Sequence, residues 1–293
     1  MNHLMIAPIV LPLFAAAIML AFGGEQRRNV SAALNIVTTF ALVAISIILL
    51  RAADVAPTGV AGVYRLGDWP APFAIVLVVD RLATLMLLLT SLLAAAAAVF
   101  SLARWHRAGV LFHPLFQLLL MGINGAFLTG DLFNLFVFVE VLLAASYGLA
   151  LHGSGTARVK AGLHYIVVNL AASLLFLIGV SLIYGVTGTL NMADLATRIP
   201  AVSAPAWALI ALLTLSGHAA VIAMGRAGVS IFWASEERST PRVRVVEIVP
   251  VAGLLALCFA LTLAAGPVMR YLQDAALALH APQTYIESVL SRT

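Results

Sequence analysis

The stretch Gly130–Leu149, GDLFNLFVFVEVLLAASYGL, decides the fold. It is almost wholly apolar and long enough, as a helix, to match the hydrocarbon thickness of a bilayer. Yet Glu140 sits near its middle. At roughly 12 to 16 Å from either surface, a glutamate side chain does not reach water. Its neighbours three and four residues away, Phe136, Val137, Leu143 and Ala144, offer no counter-charge. An apolar setting favours the neutral form of a carboxyl, and carboxylates inside membranes mark proton or ion routes. Glu140 is therefore the first candidate for proton translocation. The plain alternative is a permanently protonated side chain that bonds two helices.

The same apolarity runs through the other parts of the chain. Of its 293 residues, 63% are hydrophobic and only 10% charged, with a mean hydropathy of +1.08. Soluble domains are nearer a quarter charged. The fold class expected is an all-α polytopic membrane protein with about eight transmembrane helices. The spans fall at about 4–22, 30–50, 76–102, 111–129, 132–151, 161–186, 205–225 and 246–266. The tight turn Thr129–Asp131 makes the fourth and fifth antiparallel neighbours. The opening MNHLMIAPIVLPLFAAAIMLAF lacks a basic flank and reads as the first span rather than a cleaved signal.

The distribution of basic residues gives an orientation. With the N-terminus outside, ten of the sixteen Lys and Arg fall in four short inner loops. These are Arg27 and Arg28; Arg104 and Arg107; Arg158 and Lys160; and Arg226, Arg238, Arg242 and Arg244. The positive-inside rule then places both termini on the outer side. Such scattered charge, at a net +4, predicts no nucleic-acid partner. Two segments are expected to lie along the interface: Leu190–Ile199, and the tail after Gly266. The small-residue run Leu92–Phe100 predicts close helix packing. Residues 1–200 form an N-terminal region with the Glu140 helix, and 201–293 a C-terminal pair of helices with the tail.

Few other ionisable groups fall in or near the spans. Lys160, the sole lysine, opens the sixth span with His164 one turn further on the same face, and Asn169 lies deeper. Lys160 fits a positive-inside anchor equally well as the entrance of a hydrated proton path with His164 as relay. Asp131, a secondary candidate proton site, stands where a helix cap is favoured, Asp80 and Arg81 read as a boundary anchor, and His113 as interfacial. His218, inside the seventh span, is expected to hydrogen-bond a neighbouring helix, with ion coupling a minor option. Cys258, alone in the chain, forms no intramolecular disulfide and is expected to pack. No nucleotide, metal or nucleophile motif occurs, so a transporter without cofactor or metal is expected rather than an enzyme.

Three motifs together resemble a known family. FLTGDLFNLFVFVEVLLAASYGL, RVKAGLHYIVVNL and LIYGVTGTLNMADLA are similar to the D-type subunit of Mrp (Pha or Mnh) multisubunit sodium/proton antiporters. Such subunits share their family with the proton-translocating subunits of respiratory complex I. The resemblance implies that Glu140 is the glutamate essential for proton transfer, with Lys160 and His164 near the route. It also implies a bacterial plasma-membrane protein exchanging protons for a monovalent cation such as Na+, beside other antiporter subunits in the bilayer. Family members have about fourteen spans, and a lysine in a broken seventh helix pairs with the glutamate. That lysine is absent here, since the chain after Pro200 runs directly into a segment resembling the far C-terminal part of the family's subunits. The chain looks like a shortened form, and transport by it alone is expected to be impaired. The alternatives are a membrane subunit of a complex-I-like or hydrogenase-type oxidoreductase, or a non-transporting scaffold or assembly remnant.

Overall fold

The computed structural model describes residues 2–69, 73–103, 109–152, 156–202, 211, 214 and 244–291. In an apolar medium a backbone must satisfy its own hydrogen bonds, so the long apolar runs become helices. In chain order these are α1 (Ala7–Phe22), α2 (Arg28–Val55), α3 (Arg81–Ser101), α4 (Phe112–Leu128), α5 (Leu132–Ala150) and α6 (Thr156–Thr187). After the short α7 (Met192–Arg198) come α8 (Val245–Leu263), α9 (Ala265–His280) and α10 (Gln283–Leu290). Seven of the eight expected spans are thus occupied by helices. Five are long and apolar enough to cross a membrane, while Ala7–Phe22 and Phe112–Leu128 are apolar but shorter. The expected span at 205–225 lies outside the described residues, except for helical positions 211 and 214.

The expected span at 76–102 is divided. Its first five residues form β2 (Val76–Asp80), paired antiparallel with β1 (Val60–Arg65) in the connection that follows α2. VLVVD alternates between two apolar clusters, which explains a strand here rather than a helix turn. Leu77 and Val79 join Met5 and Leu128, whereas Val76 and Val78 join Ala193 and Val289. Asp80 then caps α3, its Oδ1 accepting from the Ala83 N–H at 2.7 Å. Arg81 does not pair with Asp80 but reaches Asp54 at 3.9 Å.

Backbone hydrogen bonds gather several connections at this hairpin end. Gly130 donates to the Val76 carbonyl at 2.8 Å, Met192 donates to Gly130, and Leu132 donates to Leu190. The turn between α4 and α5 is thereby tied to the hairpin on one side and to the start of α7 on the other. The tail packs on the same end, with Arg65 donating to the carbonyls of Val289 and Ser291 at 3.0 and 2.7 Å. At the opposite end Arg244, which precedes α8, donates to the Ala103 carbonyl just past α3 at 2.6 Å. α8 then packs along α3 and runs back towards the hairpin, where Tyr271 of α9 meets the Arg81 carbonyl at 3.4 Å.

Two expectations are corrected. His113 is buried, with 1% of its surface exposed, rather than interfacial. Its Nδ1 lies 3.1 Å from the Asn35 side-chain nitrogen of α2. Gln117, one turn on, donates to Asn35 Oδ1 at 2.6 Å and to Thr39 Oγ1 at 3.1 Å. These polar groups are buried together because α2 covers that face of α4, and they hydrogen-bond one another there, while Gln117 Oε1 has no partner among the described residues. Cys258 is exposed rather than packed. α8 packs on α3 and α9, and Cys258 falls on a face that neither covers. The small residues of α3 do allow close packing: Ala94 and Ala98 sit against Leu42, Phe116 and Leu120.

Glycines set the distance between α4 and α5. A Cβ on Gly122 would lie 2.7 Å from the Leu142 nitrogen, and one on Gly125 would enter the Phe138 ring. Gly125→Ala is expected to lower stability by about 1 to 3 kcal/mol through overpacking, seen as a lower melting temperature of the chain in lipid vesicles. An unchanged melting temperature would contradict this close approach.

Candidate functional site

The site is built on the side of α5 that faces away from α4. Phe138 and Leu142 fill the α4 interface, so the helix repeat turns Glu140 to the opposite side. On that stripe Phe136 lies one turn before Glu140 and Tyr147 two turns after it. Both touch α6. Phe136 stacks on Phe176 with ring centroids 6.3 Å apart, and Tyr147 meets Tyr165 edge to face at 5.3 Å. Glu140 therefore lies in a slot between α5 and α6, with a phenylalanine pair towards the hairpin end and a tyrosine pair towards the other.

The chemistry of the slot is unequal along its length. Ser146 Oγ and Tyr165 Oη are 3.1 Å apart, and Ser146 also donates to the Leu143 carbonyl. Tyr147 lies within the electrostatic reach of Glu140. Asn169 is buried; its Nδ2 donates to the Tyr165 carbonyl at 2.9 Å, while its Oδ1 has no partner among the described residues. Glu140 itself is half-buried, and its Oε1 is buried without a hydrogen-bond partner among the described residues. No ion pair among those residues includes it. A carboxyl in an apolar slot between two membrane helices is the kind of group that marks a proton or ion route.

The other candidates fall in different places. Lys160 and His164 lie on the first turns of α6, but their side chains are outside the described residues, as is the whole of His218. Asp131 is the N-cap of α5, its Oδ1 accepting from the Asn134 N–H at 2.8 Å. It stands at the hairpin end, roughly 13 Å along the helix axis from Glu140, and the fold does not bring the two together. Tyr147, Tyr165 and Ser146 were not among the residues expected from sequence. A tyrosine seven residues from Glu140 was the available signal, since that spacing returns to the same helix face. A separate cavity of about 340 Å³ lies at the hairpin end, lined by Asp80, Arg81, Thr129 and Tyr285 among others, and Glu140 does not reach it.

The family described as NADH:quinone oxidoreductase/Mrp antiporter, transmembrane, matches residues 129–279. The chain belongs to this family. Its matched region starts at the turn before α5 and includes the whole Glu140 slot. Among curated relatives, the D-type subunit of a probable K+/H+ antiporter of Rhizobium meliloti (strain 1021) is 55% identical over 260 residues, 87% of this chain and 47% of that protein. The D-type subunit of a Na+/H+ antiporter of Alkalihalophilus pseudofirmus is 42% identical over 202 residues, 68% of this chain and 40% of that protein. Among solved structures, the Mrp complex from Dietzia sp. DQ12-45-1b contains a chain 33% identical, with a TM-score of 0.62. That likeness covers 77% of this chain and 41% of the other. The chain spans less than half the length of the curated relatives it matches.

Asp131 yields a test of the cap within this family's fold. Burial pushes its carboxyl above the ordinary range, offset in part by the N–H groups of Asn134 and Phe133. The folded chain thus holds this proton more tightly than the unfolded one, so ionisation opposes folding. The penalty is absent below the unfolded value, grows between the two and is full above the folded one. Asp131→Asn preserves a good cap and removes the titration. Wild-type stability relative to Asp131→Asn is expected to rise as pH falls from about 7 to about 4, measured by thermal unfolding. Parallel pH profiles would contradict the assignment.

Proposed function

We propose that the chain is a subunit of a monovalent cation/proton antiporter assembly in a bacterial plasma membrane, with Glu140 as the group that carries the proton. The observation that carries this reading is the Glu140 carboxyl in the α5–α6 slot, with Oε1 buried and unpartnered among the described residues. A fixed structural glutamate is expected to have its buried oxygen satisfied. The names of two relatives support antiport over redox-driven pumping, because both are D-type antiporter subunits. One is named for K+ and the other for Na+, so the proposed cargo is a monovalent cation, Na+ or K+.

Partners follow from the same likeness: other antiporter subunits, held against the outward apolar faces of these helices in the bilayer. Both termini are placed on the outer side, which puts the hairpin end outside and the start of α6 inside. Lys160 and His164 then stand at the inner mouth of the slot. Residues 1–200 form the N-terminal region that holds this half of the machinery, and 201–293 the C-terminal region.

Transport by this chain alone is proposed to be impaired or absent. The chain has a single lysine, at the start of α6, and no lysine within a span to switch the charge of Glu140. Reconstitution into vesicles with a proton-sensitive dye tests this. The expected result is no cation-dependent proton movement beyond that of Glu140→Gln. Movement driven by Na+ or K+ that Glu140→Gln abolishes would overturn the impairment while upholding the role of Glu140.

A further inference from the structure

The slot around Glu140 is closed by different chemistry at its two ends. Towards the hairpin, Phe136 and Phe176 stack with an interplanar angle of 8°, and Phe133 extends the stack at 6.1 Å from Phe136. No hydroxyl, amide or charge belongs to these three rings, so they offer a proton no acceptor. Towards the start of α6, the ring pair is Tyr147 and Tyr165, and the Tyr165 hydroxyl lies 3.1 Å from Ser146 Oγ. Helical side chains slant towards the N-terminus, so the Tyr147 ring leans back along α5 in the direction of Glu140. Tyr165 sits on the turn of α6 that follows Lys160, on the path from the slot to the end where α6 begins.

Building on Glu140 as the proton-carrying group, we infer that it exchanges its proton with one end of the bundle only. The Tyr147, Tyr165 and Ser146 hydroxyls relay the proton towards the start of α6, and the Phe136–Phe176 stack seals the slot on the hairpin side. Each hydroxyl accepts a proton on an oxygen lone pair as it gives up its own, so no tyrosinate is formed and charge is conserved at every step. Asn169, bonded to the Tyr165 carbonyl, holds that turn of α6 in place and acts as a positioning residue. Ser146 fixes the Tyr165 hydroxyl from the α5 side.

The test reads the proton on Glu140 directly and does not require complete transport. The full chain in lipid vesicles is transferred to D2O, and the carboxyl C=O infrared band that Glu140→Gln removes is followed as hydrogen is replaced by deuterium. The Tyr147→Phe/Tyr165→Phe variant keeps both rings and loses both hydroxyls. Its Glu140 exchange is expected to be slower by about tenfold or more, the lower range for a lost proton-transfer group. Phe136→Leu/Phe176→Leu, which keeps the hairpin side apolar, is expected to exchange at the wild-type rate. An unchanged rate in the tyrosine variant overturns the relay. Equal slowing in the leucine variant also overturns it, because aromatic packing rather than the hydroxyls would then set the rate. A wild-type spectrum without a band that Glu140→Gln removes overturns the proton-carrying reading and the relay with it.

Discussion

A carboxyl group held among apolar side chains, with no ion-pair partner among the described residues, is the constraint on which the arrangement around α5 depends. Removing such a group from water is costly, and the cost is tolerated only where the surroundings fix its position and give its proton somewhere to go. The chain meets the first need by packing. Glycines at 122 and 125 let α5 approach α4 so closely that Phe138 and Leu142 fix its rotation. Glu140 is thereby turned towards α6, where two aromatic pairs hold the second helix at a set distance.

The hairpin end acts as the clamp that keeps this packing in register. Gly130 joins β2 and the start of α7 through its own N–H and carbonyl, and Asp131 beside it caps α5. α6 stops at Gly188, whose φ of +71° lies in the region where a side chain is strained. Asn191 then accepts from the N–H groups of Ala193 and Asp194 to start α7. The hairpin end of the α5–α6 pair is thus closed by short-range chemistry, and the long apolar helices beyond it need only pack. Across the membrane-facing surface the apolar side chains of α6 and α8 remain outward, as lipid or neighbouring subunits require.

Much of this was legible from residue order. Hydropathy marked seven of the helices because apolar length is a strong signal, and Glu140 stood out because charge within such a run is rare. Asp131 as a cap followed from its place beside an apolar run. The hairpin was not legible: in VLVVD, strand alternation is hidden because both faces are buried and every residue is apolar but the last. The inward direction of His113 was hidden too, since burial depended on Asn35 arriving from a separate helix, α2, to meet His113 and Gln117 of α4. The tyrosine pair needed the facing of α5 on α6, a tertiary fact that no single helix carries. Lys160, His164 and His218 were legible as candidates, and their side chains lie outside what the structure describes.

In the proposed function Glu140 is half of a proton-coupling device: the slot, cap and aromatic pairs are present, while the lysine that the family resemblance implies as its partner does not occur in the sequence. Every step proposed for the slot requires that this carboxyl bind a proton inside the bilayer. Labelling with an apolar carbodiimide, which attacks protonated carboxyls from the lipid phase, tests this most directly when read by mass spectrometry on the chain in vesicles. Modification is expected at Glu140, lost in Glu140→Gln, with none there from a water-soluble carbodiimide. A Glu140 left untouched by the apolar reagent, or modified equally by the water-soluble one, would show that it is not a proton-binding group within the membrane.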